Sequence, residues 1–454
     1  MNAYATRYDI GEMVVPFNIN LALQAALIAI LFTAVAAVAS ALDELREVPA
    51  SLMRPKPPKS GKTIFLERVN FIWKRMNFTK KVTARNIFRY KQRLFMTVIG
   101  IAACAGLMIT GFGLKEGIIG ATEAQFSSIY KFDMQGTLSK NVNEDEKDSL
   151  KEKTLNISNV TDVMFSYSKN ASVAMEDNKS QDAYVVVPES KEELNSYINL
   201  NKKDEELKLQ DEGVVITKKL AKLLNKKAGE TIEITLEDKV FQVKISAVTE
   251  HYLQHYIYFS PGYYEKLTED KIMYNSFYGL LKEISEEAED NTLNALKDLE
   301  DINSVEFKSN VHINFTKMSS AINSVIPVLI ISAGVLAFVV IYNLTNINIS
   351  ERKRELATIK LLGFFNHELA AYIYRENMIL TVLGSLAGIP MGMFFNKFII
   401  GTAETNDILF LQKIHPIYYL ISIILTLLFS VIVNLAMYNR FDKIDMIESL
   451  KSAE

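Results

Sequence analysis

Five apolar runs punctuate the chain, at 20–41, 94–114, 322–347, 376–398 and 416–438. Each is long enough to cross a hydrocarbon core of roughly 30 Å as a helix, which takes about 20 residues. None carries Lys, Arg, Asp or Glu in its central stretch; Glu376 and Lys397 only mark the borders of the fourth. The pattern predicts five spanning helices, without the buried ionisable groups that an ion-coupled carrier needs. The insert at 116–318 is patterned differently. "DAYVVVP" (182–188) has strand composition, "KEELNSYI" (191–198) reads as helix, and a strand at 213–216 meets a helix with Leu220, Leu223 and Leu224 inward. Ile232, Ile234 and Leu236 then alternate, Asp238 marks a turn, and Phe241, Val243, Ile245 and Ala247 alternate again, which predicts a hairpin with one buried face. The expected fold class is an α-helical membrane protein with five transmembrane helices plus a mixed α/β extracytoplasmic domain.

Charge placement orients these elements. Residues 42–93 hold fourteen Lys and Arg against four acids, whereas 1–15 and 399–415 carry one basic residue each. Short Lys/Arg-rich loops stay in the cytoplasm, so the N-terminus and the insert are expected outside and the C-terminus inside. The net charge of -3 argues against a nucleic-acid partner. The only cysteine, Cys104, falls in the second span, leaving the insert to fold on its own core without a disulfide.

A weak internal echo divides the chain. "LREVPASLMR" (45–54) and "KIDMIESLKS" (443–452) each follow a span, with Ser51-Leu52 on Ser449-Leu450. On that reading residues 1–54 are the last span of a preceding repeat and the rest is a second copy. Residues 55–93 then form a basic cytoplasmic linker and an elbow helix, in which Phe65, Val69, Ile72 and Met76 make a stripe suited to the headgroup plane. The remaining segments are a span at 94–115, the outer domain at 116–318, and three spans with a cytoplasmic tail at 319–454.

No chemical site emerges. Gly61-Lys62-Thr63 lacks the earlier glycine and the preceding strand of a phosphate loop. His251 and His255 stand four apart, but Tyr252 occupies the place of the zincin glutamate and the region reads as strand, so no metal is expected and an aromatic patch is preferred. Gly384, Gly388 and Gly392 recur every four residues, which lets helix backbones approach closely in lipid. Pro327 and Pro390 are expected to kink their helices. "SERKRELATIKLLGFF" (350–365) reads as a short helix from an N-cap at Ser350 to a stop at Gly363, with Leu356, Ile359 and Leu362 or Gly363 on one apolar stripe. By its residues alone it is either a helix docking into a cytoplasmic partner or an ordinary solvated turn.

The order of "RNIFRYKQR", span, large outer domain, span, "ERKRELATIKLLGF" and two closing spans resembles the FtsX-like permease family, the MacB-type permeases of ABC transporters. The resemblance covers nearly all of 80–452, and the extra N-terminal span is similar to that of long duplicated permeases. It implies a MacB-like outer domain and a separate P-loop ATPase dimer that binds the ATP, so the chain itself has no catalytic residue and no cofactor. It further implies that Glu351, Arg352, Arg354, Glu355, Lys360 and Gly363 belong to an ATPase-coupling helix at 350–363. The implied function is export or mechanotransmission acting on an amphipathic substrate, a lipid or an antimicrobial peptide, in the plasma membrane of a bacterium. Membrane lipids and a second permease half are the further partners. The alternative is a membrane regulator whose outer domain activates a cell-wall hydrolase or a sensor kinase.

Overall fold

The structure, a computed structural model, describes residues 19–45, 67, 70–89, 91–175, 179–202 and 205–438. The two halves of the internal echo beyond Leu45 and the Pro-rich linker lie outside the described residues, as do Phe65 and Val69 of the expected elbow.

The chain divides into two units, 1–75 with 450–454, and 76–449. In the first, α1 (Ile19–Leu45) is 27 residues of almost uninterrupted apolar sequence and is long enough to span a bilayer. The short α2 (Asn70–Arg75) places the Arg75 guanidinium 4.4 Å from the centre of the Phe71 ring. Among the described residues this helix ends at Arg75, one residue before Met76 of the expected stripe.

The second unit begins with α3 (Phe78–Arg89) and α4 (Lys91–Ala124), the latter running into a π-helical turn at Gln125–Ile129. At 1.5 Å per residue, the 34 residues of α4 reach roughly 50 Å, well beyond a hydrocarbon core. The excess carries the sheet domain clear of the spans. That domain contains β1 (Met134–Val142), α5 (Glu144–Leu155), β2 (Val160–Ala174), β3 (Ser180–Pro188), α6 (Leu194–Tyr197), β4 (Asn201–Lys202), β5 (Glu205–Glu206), β6 (Val214–Thr217), α7 (Lys218–Leu223), β7 (Thr231–Leu236), β8 (Lys239–Thr249), β9 (Tyr256–Tyr258), α8 (Pro261–Thr268), β10 (Tyr274–Leu281), α9 (Glu286–Lys297) and β11 (Ile302–Phe307). The return helix α10 (Lys308–Glu351) has 44 residues, followed by α11 (Lys353–Leu361), α12 (Asn366–Ala403) and α13 (Pro416–Met437). With α1, α4, α10, α12 and α13 supply five helices long and apolar enough to cross a membrane, and the chain is a multi-pass membrane protein.

The sheet runs β11-β1-β10-β2-β3-β9-β6-β8-β7, and β7 also pairs with β2. The ring β2-β3-β9-β6-β8-β7 therefore closes into a six-stranded barrel, and β10, β1 and β11 form a wing beside it. The 15-residue β2 serves both: its first half pairs with β10, and Ser172 and Val173 pair with Thr235 and Ile234 of β7. Val173, Ile216, Ile234, Val243, Ile245 and Ile257 are buried in the principal core. The expected strands at 182–188 and 213–216 and the expected hairpin are present. Its turn places Glu237 and Asp238 at φ 51° and 65°, the two-residue geometry whose twist matches the flanking strands. "KEELNSYI" contributes only one helical turn, Leu194–Tyr197.

Three boundaries differ from the sequence reading. The helix of the second span continues to Ala124 and that of the third begins at Lys308, each running beyond its apolar run. Pro327 and Pro390 both lie inside continuous helices. Ser350 is not an N-cap: α10 carries on to Glu351, and the break falls at Arg352, with φ −104° and ψ 9°.

Candidate functional site

The short helix α11 sits at the end of the spans remote from the sheet domain. Leu356 and Ala357 are fully buried, in a cluster with Ile349, Leu369, Ala370, Ile373, Val433 and Met437. This face ties α11 to α10, α12 and α13. Ile359 packs at its edge, but Leu362 is exposed, so the apolar stripe stops one turn earlier than expected. Leu361, Phe364 and Phe365 are exposed beside it. The helix ends at Gly363, whose φ of +94° is a conformation that side-chain-bearing residues rarely adopt.

The residues expected to couple this helix fall into different settings. Glu351 closes α10, and Arg354 and Glu355 lie in the first turn of α11; the side chains of all three are outside the described residues. Lys360 is half-buried in the last turn. Arg352 faces inward. Its side chain is buried and donates from Nη1 to Glu376 Oε2 at 2.6 Å and from Nη2 to the Tyr372 hydroxyl at 3.1 Å. The other oxygen of Glu376 receives Arg93 of α4, and Arg93 Nη1 also donates to Asn348 Oδ1 at 2.8 Å.

This cluster corrects the expectation that the spans hold no buried ionisable groups. Arg93, Arg352 and Glu376 are all nearly inaccessible. A desolvated charge is tolerated only when paired and hydrogen-bonded, and Glu376 meets both conditions by giving each guanidinium one oxygen. The polar column continues inward: Asn348 donates to Asn377 at 3.2 Å, Asn377 to Thr345 and Asn434 at 3.1 and 3.3 Å, and Thr381 meets Ser430 at 3.0 Å. A small cavity beside Arg93 is lined by Thr97, Thr345, Asn348, Asn377 and Thr381. Four helices thus share one hydrogen-bonded seam at the base of α11. A windowed hydropathy reading misses it, because Arg93 and Glu376 stand at the borders of their runs and each Asn or Thr is diluted by apolar neighbours. The available signal was the recurrence of Asn377, Thr381 and Ser385 every four residues on one face of α12.

Gly384, Gly388 and Gly392 lie on α12 and face α4. A Cβ on Gly388 would stand 2.7 Å from Ala105 Cβ and 3.1 Å from the Ala102 carbonyl; one on Gly392 would stand 2.8 Å from Ile109 Cβ. The two backbones approach closely enough that Thr110, hydrogen-bonded to the Gly106 carbonyl at 2.8 Å, also lies 3.4 Å from the Gly392 carbonyl.

His251 and His255 lie in the loop before β9. His251 is buried, with Nε2 3.2 Å from Gln125 Nε2 and Nδ1 2.9 Å from the Leu253 carbonyl. Burial drives its pKa down to about 3, so it is neutral. No group of three His, Cys, Asp or Glu able to hold a metal occurs among the described residues.

The family model for the FtsX-like permease C-terminal domain matches residues 302–446, from β11 through α13. This chain carries an FtsX-like permease domain. Permeases of this family belong to ABC-type transporters, in which the ATPase is a separate subunit. Among solved structures, the periplasmic region of MacB from Actinobacillus actinomycetemcomitans is similar at 13% identity and a TM-score of 0.27, over 41% of this chain and 94% of that one. The extracellular domain of the noncanonic ABC-type transporter YknZ from Gram-positive bacteria is similar at 12% identity and a TM-score of 0.27, over 38% of this chain and 98% of that one. No curated protein matches this chain.

Proposed function

We propose that this permease couples ATP hydrolysis by a partner P-loop ATPase dimer to movement of its sheet domain, and so exports or extracts an amphipathic substrate such as a lipid or an antimicrobial peptide. The observation that carries the reading is the base of α11. A short helix held between two spans has the residue at its N-terminal break, Arg352, bound to Glu376 of α12 and through it to Arg93 of α4. A push on α11 is therefore delivered to three spans together, through charge-assisted hydrogen bonds that resist lengthening. Glu351, Arg352, Arg354, Glu355, Lys360 and Gly363 form the coupling element in this reading, with Arg352 as its internal anchor and Arg354 and Glu355 toward the ATPase. The α11 end faces the cytoplasm of a bacterial plasma membrane, in keeping with the basic loops flanking the spans, and the sheet domain faces outward. Lipids surround the spans, and a second permease half completes the transporter.

The test uses the permease and its ATPase in proteoliposomes. Arg354→Glu combined with Glu355→Lys should leave the permease folded and ATP hydrolysis running, while a spin label at Val240 in the sheet domain no longer responds to nucleotide. An unchanged label response in the double variant, or labelling of Lys360→Cys from outside sealed cells, would refute the assignment.

A further inference from the structure

The residues that join α12 to α13, 404–415, do not simply turn back toward the membrane. They are built into the sheet domain. Leu253 and Ile408 form an antiparallel bridge, with the Gln254 amide donating to the Asp407 carbonyl at 2.7 Å and the Leu409 amide to the Tyr252 carbonyl at 2.8 Å. Glu404, just past the end of α12, is 2% exposed at its side chain and accepts from Lys219 at 3.1 Å and Lys222 at 2.6 Å, both on α7. Its other oxygen accepts the Phe410 amide at 3.2 Å. Lys219 is itself only 5% exposed. Burial alone would raise the Glu404 carboxyl, but the hydrogen bonds from Lys222 and Lys219 outweigh it and hold the pKa below the usual value. On its other side the loop is anchored to α4: the Leu411 amide donates to the Gly117 carbonyl at 3.1 Å, and the His415 amide to Glu116 at 3.2 Å.

The partner segment of this bridge, residues 251–255, is also gripped from the π-helical turn that continues α4. Gln125 accepts the Tyr252 amide at 2.8 Å while its amide nitrogen meets His251. One five-residue segment thus contacts both the end of α4 and the α12–α13 loop.

We propose that residues 404–411 are a permanent transmission joint, in which Glu404 with Lys219 and the 252–254/407–409 pairing fix the barrel to the outer end of α12, so that the two move as one body. Glu404 and Lys219 are positioning residues here: they touch no substrate and act by what they hold. A surface loop resting on the domain needs no buried ion pair, and an ion pair without the backbone bridge could swivel. The two together fix position and orientation. The proposal rests on the reading that span movement is passed to the sheet domain.

The joint is tested by distance measurement between spin labels at Thr402→Cys on α12 and Val240→Cys on the barrel, in a Cys104→Ala background. In nucleotide-free protein the distribution should be narrow. It should broaden in Glu404→Ala and in Lys219→Glu, and narrow again in the Glu404→Lys/Lys219→Glu/Lys222→Glu charge swap, which reverses both lysines that meet Glu404. Return of order in the swap separates a broken joint from a misfolded domain. With the partner ATPase and ATP, the 402–240 distance should stay constant, and a Gln254→Cys/Asp407→Cys disulfide should leave ATP-linked sheet movement intact. A nucleotide-dependent change in that distance, loss of movement on cross-linking, or a Glu404→Ala distribution as narrow as the wild type would each overturn the joint. Failure of the wider coupling reading looks different: no label pair responds to ATP, while the nucleotide-free distributions still distinguish an intact joint from a broken one.

Discussion

Arg93 and Arg352 share the carboxylate of Glu376, one oxygen each, across the junction of three helices. Removing the carboxylate would leave two guanidinium groups facing each other out of water. Glu376→Ala is therefore expected to destabilise the protein by about 3–5 kcal/mol, the range for breaking a buried ion pair from one side. Replacing all three at once, Arg93→Met, Arg352→Met and Glu376→Leu, removes the charges together with their desolvation cost and should restore most of that loss. Thermal unfolding in detergent checks both variants. A triple variant as unstable as Glu376→Ala would show that packing, rather than charge pairing, sets the cost.

The contact between α4 and α12 is equally specific. At Gly388 an added methyl meets Ala105 Cβ at 2.7 Å and backbone at 3.1 Å, leaving nothing flexible to give way. Gly388→Ala should cost about 1–3 kcal/mol, as overpacking of a tight interface does. Gly401, in the exposed last turn of the same helix, has no atom within 4 Å of its Cβ position. There the same substitution should stabilise by roughly 0.5–1 kcal/mol through helix propensity alone. Opposite signs from two glycines of one helix, read by unfolding temperature, distinguish packing from propensity.

Acid should loosen the sheet domain before it breaks the ion pairs. Burial holds His251 near pKa 3, whereas the unfolded chain titrates near the free value of 6.5. Below that value the unfolded state takes up a proton that the folded state refuses, so stability falls by about 1.4 kcal/mol per pH unit from this residue, down to about pH 3. His255, depressed chiefly by burial, contributes with the same sign. Glu404, with a lowered carboxyl pKa, keeps its contribution above its unfolded value and loses it only as the pH drops through its folded one. The opening free energy of β6 and β9, read from hydrogen exchange corrected for the intrinsic pH dependence of amide exchange, should therefore fall between pH 7 and 5, and His251→Gln should flatten that dependence. An equally steep profile in the variant would remove His251 as the cause.

Much of this architecture was legible in the amino-acid pattern. The spans announce themselves because uninterrupted apolar sequence has few alternatives, and the β7–β8 hairpin because its alternation and its Glu237-Asp238 turn agree. The glycines of α12 were legible as a packing face, though not their partner helix. The seam beneath α11 was hidden for a physical reason: Arg93, Arg352 and Glu376 are each tolerable alone at a helix end, and only their convergence makes them a site. The inward turn of Arg352 was not legible because a charged run reads as solvated, while one helical break turns a single member of the run inward. The joint at Glu404 was hidden more completely, since a lone acid in a short loop differs from any other only once the lysines of α7 are brought to it.

The shared strand β2 gives the sheet domain two handles. Both long helices run directly into the wing, α4 toward β1 and α10 from β11, whereas the α12–α13 loop holds the barrel. If the helices tilt by unequal amounts, the difference is felt as torsion along one 15-residue strand, paired with the wing in its first half and with the ring in its second. On the proposed coupling, the sheet domain is geared to register differences between helices, and a uniform displacement of the whole bundle would carry it along without deforming it.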